Sequence, residues 1–143
     1  MIALEVRRLI YAPAQRVFEA WTQPEHLKKW WGPRSVTCIH AEIDLRVGGS
    51  YRIANQFPNG SVVWILGNFE VIDEPRKLVY TWRTNPDSPL FERVTVQFKA
   101  CSEATEVVVR HERIPDAATR DKHEHGWEGC LSGLANYMNR NTK

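Results

Sequence analysis

His111 is the titratable residue with the clearest apolar company. In "TEVVVRHE" it shares strand parity with Val107 and Val109, so all three side chains point to one side of an extended segment. A histidine titrates near neutral pH and can act as acid, base or hydrogen-bond anchor for a bound molecule. The alternative is a satisfied buried imidazole that holds a strand end. Asp44 and Arg46 stand two apart just before Gly48-Gly49. That spacing puts carboxylate and guanidinium on one face, where they either orient a polar head group or fix the strand end and its turn. Glu70 is a further acid, to be read as a cavity carboxyl or as an outward, ion-paired one.

Other chemistries find little support. His123 and His125 in "HEH" are i, i+2 and face nearly opposite ways on a helix, and no H-E-x-x-H follows, so no metal site is expected. Cys38, Cys101 and Cys130 are odd in number and lack a C-x-x-C spacing, which argues against zinc and against a disulfide framework. They read as small buried hydrophobes in a reducing compartment. No serine sits in a G-x-S-x-G turn and no glycine loop cradles a phosphate; Gly48-Gly49 reads as a hairpin turn. We therefore assign no catalytic set and no cofactor. A net charge of +2 with scattered basic residues gives no stripe for nucleic acid or an anionic membrane surface. The opening "MIALEVRRLIYAP" lacks the charged start and long apolar run of a secretory signal. No segment approaches the roughly 18 apolar residues of a membrane helix, so a cytoplasmic protein without membrane insertion is expected.

The elements that must position these residues can be read in order. "ALEVRRLIYAP" is a strand ended by proline. "PAQRVFEAWTQ" is a short amphipathic helix with Val17, Phe18 and Trp21 on its apolar side, and "PEHLKKWW" is a second, broken at Gly32-Pro33. "SVTCIHAEIDLRV", "SYRIANQF", "SVVWILGNFEVID", "KLVYTWR", "ERVTVQFKA" and "TEVVVRHE" then alternate as strands with hairpin-length gaps, and Gly67 marks a bulge or bend. The spacing predicts a last helix from Thr119 to about Arg140, started by Asp116 or Thr119, with Trp127, Leu131, Leu134 and Met138 in one stripe. Gly126, Gly129 and Gly133 inside it imply close packing against the helix backbone.

Six or seven antiparallel strands with one apolar face and one long helix with one apolar stripe are most simply buried by the sheet curling round the helix. One helix is too slim to fill so wide a sheet, so a space between them is expected, its end closed by the short helices. This gives the doublet in "HLKKWWGP" two jobs, because adjacent side chains on a helix diverge by about 100°. One of Trp30 and Trp31 pins the second helix to the core while the other roofs the opening.

The element order and five strings resemble the helix-grip, START-like (SRPBCC) superfamily, specifically bacterial proteins similar to the C-terminal domain of the heat-shock-protein-90 ATPase activator. The strings are "VFEAWTQPEHLKKWWGP" (17–33), "EIDLRVGGSYRI" (42–53), "GNFEVIDEPRKLVYTW" (67–82), "TEVVVRHERIPD" (105–116) and "HEHGWEGCLSGLANYM" (123–138). Cys38, His40 and Asn68 depart from that pattern, and "NPDSPLFE" (85–92) carries nothing over. The resemblance implies a single START-like domain over 1–143: α+β, a helix-grip with an antiparallel sheet around a long C-terminal helix. It further implies a cavity between that helix and the sheet for a hydrophobic or amphipathic small molecule. Relatives resemble lipid carriers and polyketide cyclases, and the eukaryotic namesake is a co-chaperone.

The expected function is thus a binding or carrier protein. Trp31, Tyr51, Trp64, Trp82, His111, Trp127, Leu131 and Leu134 are the expected cavity lining. A cyclase- or hydrolase-type enzyme using His111 with Asp44 or Glu70, and a chaperone-associated stress-response module, are the rival readings. A homodimer through sheet edges or the outer sheet face is a further expected partnership.

Overall fold

Alternation in the central strands and helical spacing at both ends of the chain produce one curved sheet with three helices on its concave side. The computed structural model describes residues 2–32 and 35–141, the side chains of 140 and 141 excepted. Its elements are β1 (Ile2–Ile10), α1 (Ala14–Thr22), α2 (Pro24–Trp30), β2 (Thr37–Ile43), β3 (Ser50–Gln56), β4 (Val62–Asp73), β5 (Lys77–Trp82), β6 (Glu92–Cys101), β7 (Ala104–Ile114) and α3 (Ala117–Asn141). All seven strands form one antiparallel sheet in the order β1-β7-β6-β5-β4-β3-β2. The α+β helix-grip reading holds. Of the break expected at Gly32-Pro33, Gly32 takes φ +115 while Pro33 lies outside the described residues.

Strand parity fixes which residues face α3. In the β6–β7 register Phe98 pairs with Val107, Val96 with Val109 and Val94 with His111, so three apolar rungs end in a histidine on the inner face. Across β5, Leu78 and Tyr80 continue those rungs, and Trp82 stands opposite Glu92. The helix answers with Trp127, Cys130, Leu131, Leu134 and Met138, all buried. Asp116 starts it: its carboxylate accepts from the Thr119 backbone N–H at 2.7 Å, capping an otherwise unpaired donor.

β4 has to bend, and Gly67 permits it. A Cβ there would stand 2.0 Å from the Thr81 carbonyl oxygen, an approach only glycine allows. The bulge itself falls between Phe69 and Val71, where β4 shifts register against β5.

The short helices close one end. Phe18 of α1 packs edge-on against Phe98 at 5.4 Å, and Thr105 Oγ1 donates to the Ala12 carbonyl. For α2, the Trp30 indole N–H donates to the buried carbonyl of Ala20 at 2.9 Å, and the Trp30 carbonyl rests on α3 at Gly133. His26 Nδ1 and the Tyr137 hydroxyl meet at 2.6 Å. Trp30 is therefore the pinning ring and Trp31 faces the interior.

Candidate functional site

The sheet end beyond the apolar rungs carries a four-residue hydrogen-bonded chain. Trp127 Nε1 donates to His111 Nδ1 at 3.0 Å, His111 Nε2 meets Glu92 Oε1 at 2.6 Å, and His123 Nε2 meets the same oxygen at 2.8 Å. An indole N–H only donates, so His111 Nδ1 must be the accepting nitrogen and its proton sits on Nε2. The two imidazoles stack at 4.4 Å, and Trp82 packs edge-on against both. Burial holds the fully enclosed His111 below the ordinary histidine pKa, opposed by its bond to Glu92. For Glu92, burial would raise the carboxyl, but the hydrogen bonds from His111 and His123 outweigh it and bring it down to about 2. The group is a shared carboxylate holding two donor N–H groups.

Glu92, His111 and His123 place three possible ligand atoms within 4.8 Å of one another, so the cluster must be tested as a metal site. Coordination through His111 Nε2 would move the ring proton to Nδ1. There it would confront the Trp127 N–H, donor against donor. The residues around the cluster thus oppose a metal.

Two tryptophan-lined spaces lie against the inner face of the sheet, one under the short helices and one beside α3. The inner one, lined by Trp21, Leu27, Tyr51, Ile53, Phe69 and Tyr80 among others, leaves about 20 Å³, room for one water and no more. The wide hollow expected from one helix in one sheet is largely filled with aromatic rings. Stacked Trp21 and Trp127, 6.0 Å apart, and Trp31 edge-on to Trp127 at 5.4 Å occupy it. The second space is a side cleft of about 130 Å³. Trp31, Trp82 and Trp127 wall it, with Asn55, Ile65 and Cys130 buried beneath and Val36, Phe57 and Lys122 nearer the surface. Gly126 also lines it, and apart from its chain neighbours and its own helix backbone nothing lies within 4 Å of where a Cβ would stand.

The expected lining divides accordingly. Trp31 and Trp82 line both spaces, Tyr51 the inner one and Trp127 the cleft. Tyr51 spends its hydroxyl on the Thr81 carbonyl at 2.6 Å. Trp64 is elsewhere: it pairs with Ala54, one residue out of phase with the inner pair Ile53–Ile65, and lies on the outer face under Arg52 and His40. Leu131 and Leu134 are core residues of α3 outside both spaces. His111 is enclosed behind Trp82 and Trp127 and touches neither space.

The other acids also sit away from the interior. Asp44 and Arg46 form an exposed ion pair at the turn after β2, and Glu70 pairs with Arg93. Cys38 and Cys130 are buried, and burial pushes the Cys130 thiol up to about 12. Cys101 departs from the expectation by being exposed, as the last residue of β6.

Glu92 lies outside the expected site set, and His123 enters it through Glu92 and not through the "HEH" spacing; Glu92 is the next inner position before Val94, and His123 is one helical turn before Trp127.

A family model described as "Activator of Hsp90 ATPase homolog 1-like protein" matches residues 11–139. The chain belongs to that family. The activator-homolog-1-like family is part of the SRPBCC superfamily of ligand-binding domains. Among solved structures, a Chromobacterium violaceum protein is 28% identical with a TM-score of 0.87, over 95% of this chain and 96% of its own. A Nitrosomonas europaea protein is 24% identical with a TM-score of 0.83, over 98% and 96%. The AHSA1 protein of Silicibacter pomeroyi shares the fold at 19% identity, with a TM-score of 0.87 over 98% and 99%. No curated protein matches the chain. Among the described residues, no helix of this family member is long and apolar enough to cross a membrane.

Proposed function

We propose that the chain binds a small aromatic molecule in the side cleft between the sheet and α3. The observation that carries this is the three-tryptophan wall around about 130 Å³, kept open on the helix side by Gly126. Size selects the guest. A cavity of about 150 Å³ takes up benzene, whereas drug-sized ligands occupy about 300–1,000 Å³. A one-ring compound matches the cleft and a long acyl chain does not. Affinity comes from apolar burial, at about 25 cal/mol per Å². Thermal-shift and native mass-spectrometry screens with one-ring arenes, two-ring arenes and palmitate test the reading. One-ring compounds should raise Tm, and Gly126→Leu should abolish the response. A shift with palmitate alone, or none at all, would overturn it.

A second reading, an acid–base enzyme, now rests on a different histidine. His123 lines the cleft while His111 does not, and Glu92 holds His123 Nε2, which leaves Nδ1 of a neutral ring free to accept a proton. Turnover of a cleft-bound compound that disappears in His123→Gln, with binding kept, would establish it.

A further inference from the structure

Two residues of the cleft lining each carry a buried polar atom that the protein leaves unpaired. Among the described residues, Trp31 Nε1 and Asn55 Oδ1 are the buried side-chain atoms without a hydrogen-bond partner. Both side chains line the cleft, and they are only 5% and 7% exposed. Unpaired buried polar groups carry the full penalty of desolvation and are uncommon in folded proteins. Here the two are of opposite kind. An indole N–H can only donate, and an amide oxygen can only accept.

We infer that the ligand is a one-ring aromatic molecule with a neutral head that both accepts and donates, a phenolic hydroxyl or a primary carboxamide. The inference rests on reading the cleft as the binding site. The head accepts from Trp31 Nε1–H and donates to Asn55 Oδ1, while the ring lies among Trp31, Trp82 and Trp127. Neither atom is open to solvent, so the head meets them after a small side-chain adjustment. A plain arene leaves both atoms unpaired. A carboxylate has no proton for Asn55 and would set its charge against that oxygen in an apolar site. Selectivity between a hydroxylated arene and its bare analogue follows, because a site built around buried polar groups rejects a guest that cannot pair them.

Calorimetric titration of the full chain with p-cresol, toluene and 4-methylbenzoate, three guests of similar girth, tests this. The p-cresol Kd should be about tenfold below that of toluene, as two neutral hydrogen bonds imply, with 4-methylbenzoate weakest. Trp31→Phe keeps a ring and removes the donor, and Asn55→Leu keeps the shape and removes the acceptor. Each should cut the preference for p-cresol over toluene from about tenfold to about threefold or less, read as the ratio of the two Kd values within the same variant so that any change in the cleft wall cancels. If Trp31→Phe does not fold, Asn55→Leu carries the test. Toluene binding as tightly as p-cresol, or 4-methylbenzoate binding best, overturns the head assignment while the cleft reading stands. If none of the three binds, both fall.

Discussion

The indole N–H of Trp127 donates to Nδ1 of His111 across 3.0 Å, and this contact decides which nitrogen of the buried ring carries the proton. It makes His111 a neutral, fixed donor to Glu92.

Acid sensitivity follows from that arrangement. His111 has a lowered pKa in the folded chain, so the unfolded chain takes up the proton first. Stability is present above about pH 6.5 and falls as pH drops below it. Glu92, lowered from 4.5 to about 2, adds a second loss between those values, for the same reason. Each group contributes at most about 1.4 kcal/mol per pH unit. Urea unfolding from pH 8 to pH 3 should show stability that is level down to about pH 6.5 and declines below it, and Glu92→Gln should flatten the profile below pH 4.5. An unchanged profile in that variant would contradict the assignment.

Metal uptake is a separate expectation. Titration of the wild-type chain with zinc or cobalt should show no binding that His123→Gln removes, because the Trp127 donor locks the His111 tautomer. One tight equivalent lost in His123→Gln would refute the tautomer argument.

Two glycines on α3 should respond oppositely to alanine. At Gly126 an added Cβ meets nothing within 4 Å, so Gly126→Ala should stabilise the fold by up to about 1 kcal/mol through helix propensity. At Gly133 it would stand 2.6 Å from the Trp30 carbonyl oxygen, so Gly133→Ala should destabilise despite the same propensity gain. Thermal unfolding of the two variants reads both signs.

The adjacent tryptophans should also separate. Trp30→Phe loses a buried hydrogen bond to Ala20 and leaves that carbonyl unpaired, whereas Trp31→Phe removes a donor that had no partner. Trp30→Phe should cost about 1–3 kcal/mol more than Trp31→Phe. Equal Cm values in urea, with equal m, would contradict the assignment of roles.

Strand parity and helical stripes carried most of the fold. That Val94, Val96 and Phe98 share one face of β6, that Val107, Val109 and His111 share one face of β7, and that α3 buries one stripe follow from period-2 and period-3.6 spacing, whereas the rungs that join the two strands come from their register. Trp64 shows where that reading stops. Parity says that Trp64 and Ile65 face opposite ways but not which of them faces inward, and only the pairing Ile53–Ile65 against the helix decides it. Likewise the size of the hollow depends on how Trp21, Trp31 and Trp127 stack, which is side-chain packing over long sequence separations. The joining of His123 and His111 on one Glu92 oxygen needs the helix register against the sheet, and "HEH" alone does not contain it.

The most direct test of the binding cleft is a proton–nitrogen correlation spectrum of the six indole N–H groups during p-cresol titration. The Trp31 signal should move downfield as its N–H gains an acceptor, saturably and with the largest displacement, while Trp30, bonded to Ala20, stays in place. Saturable binding that leaves Trp31 unmoved, or no saturable change in any indole, would place the guest outside the cleft.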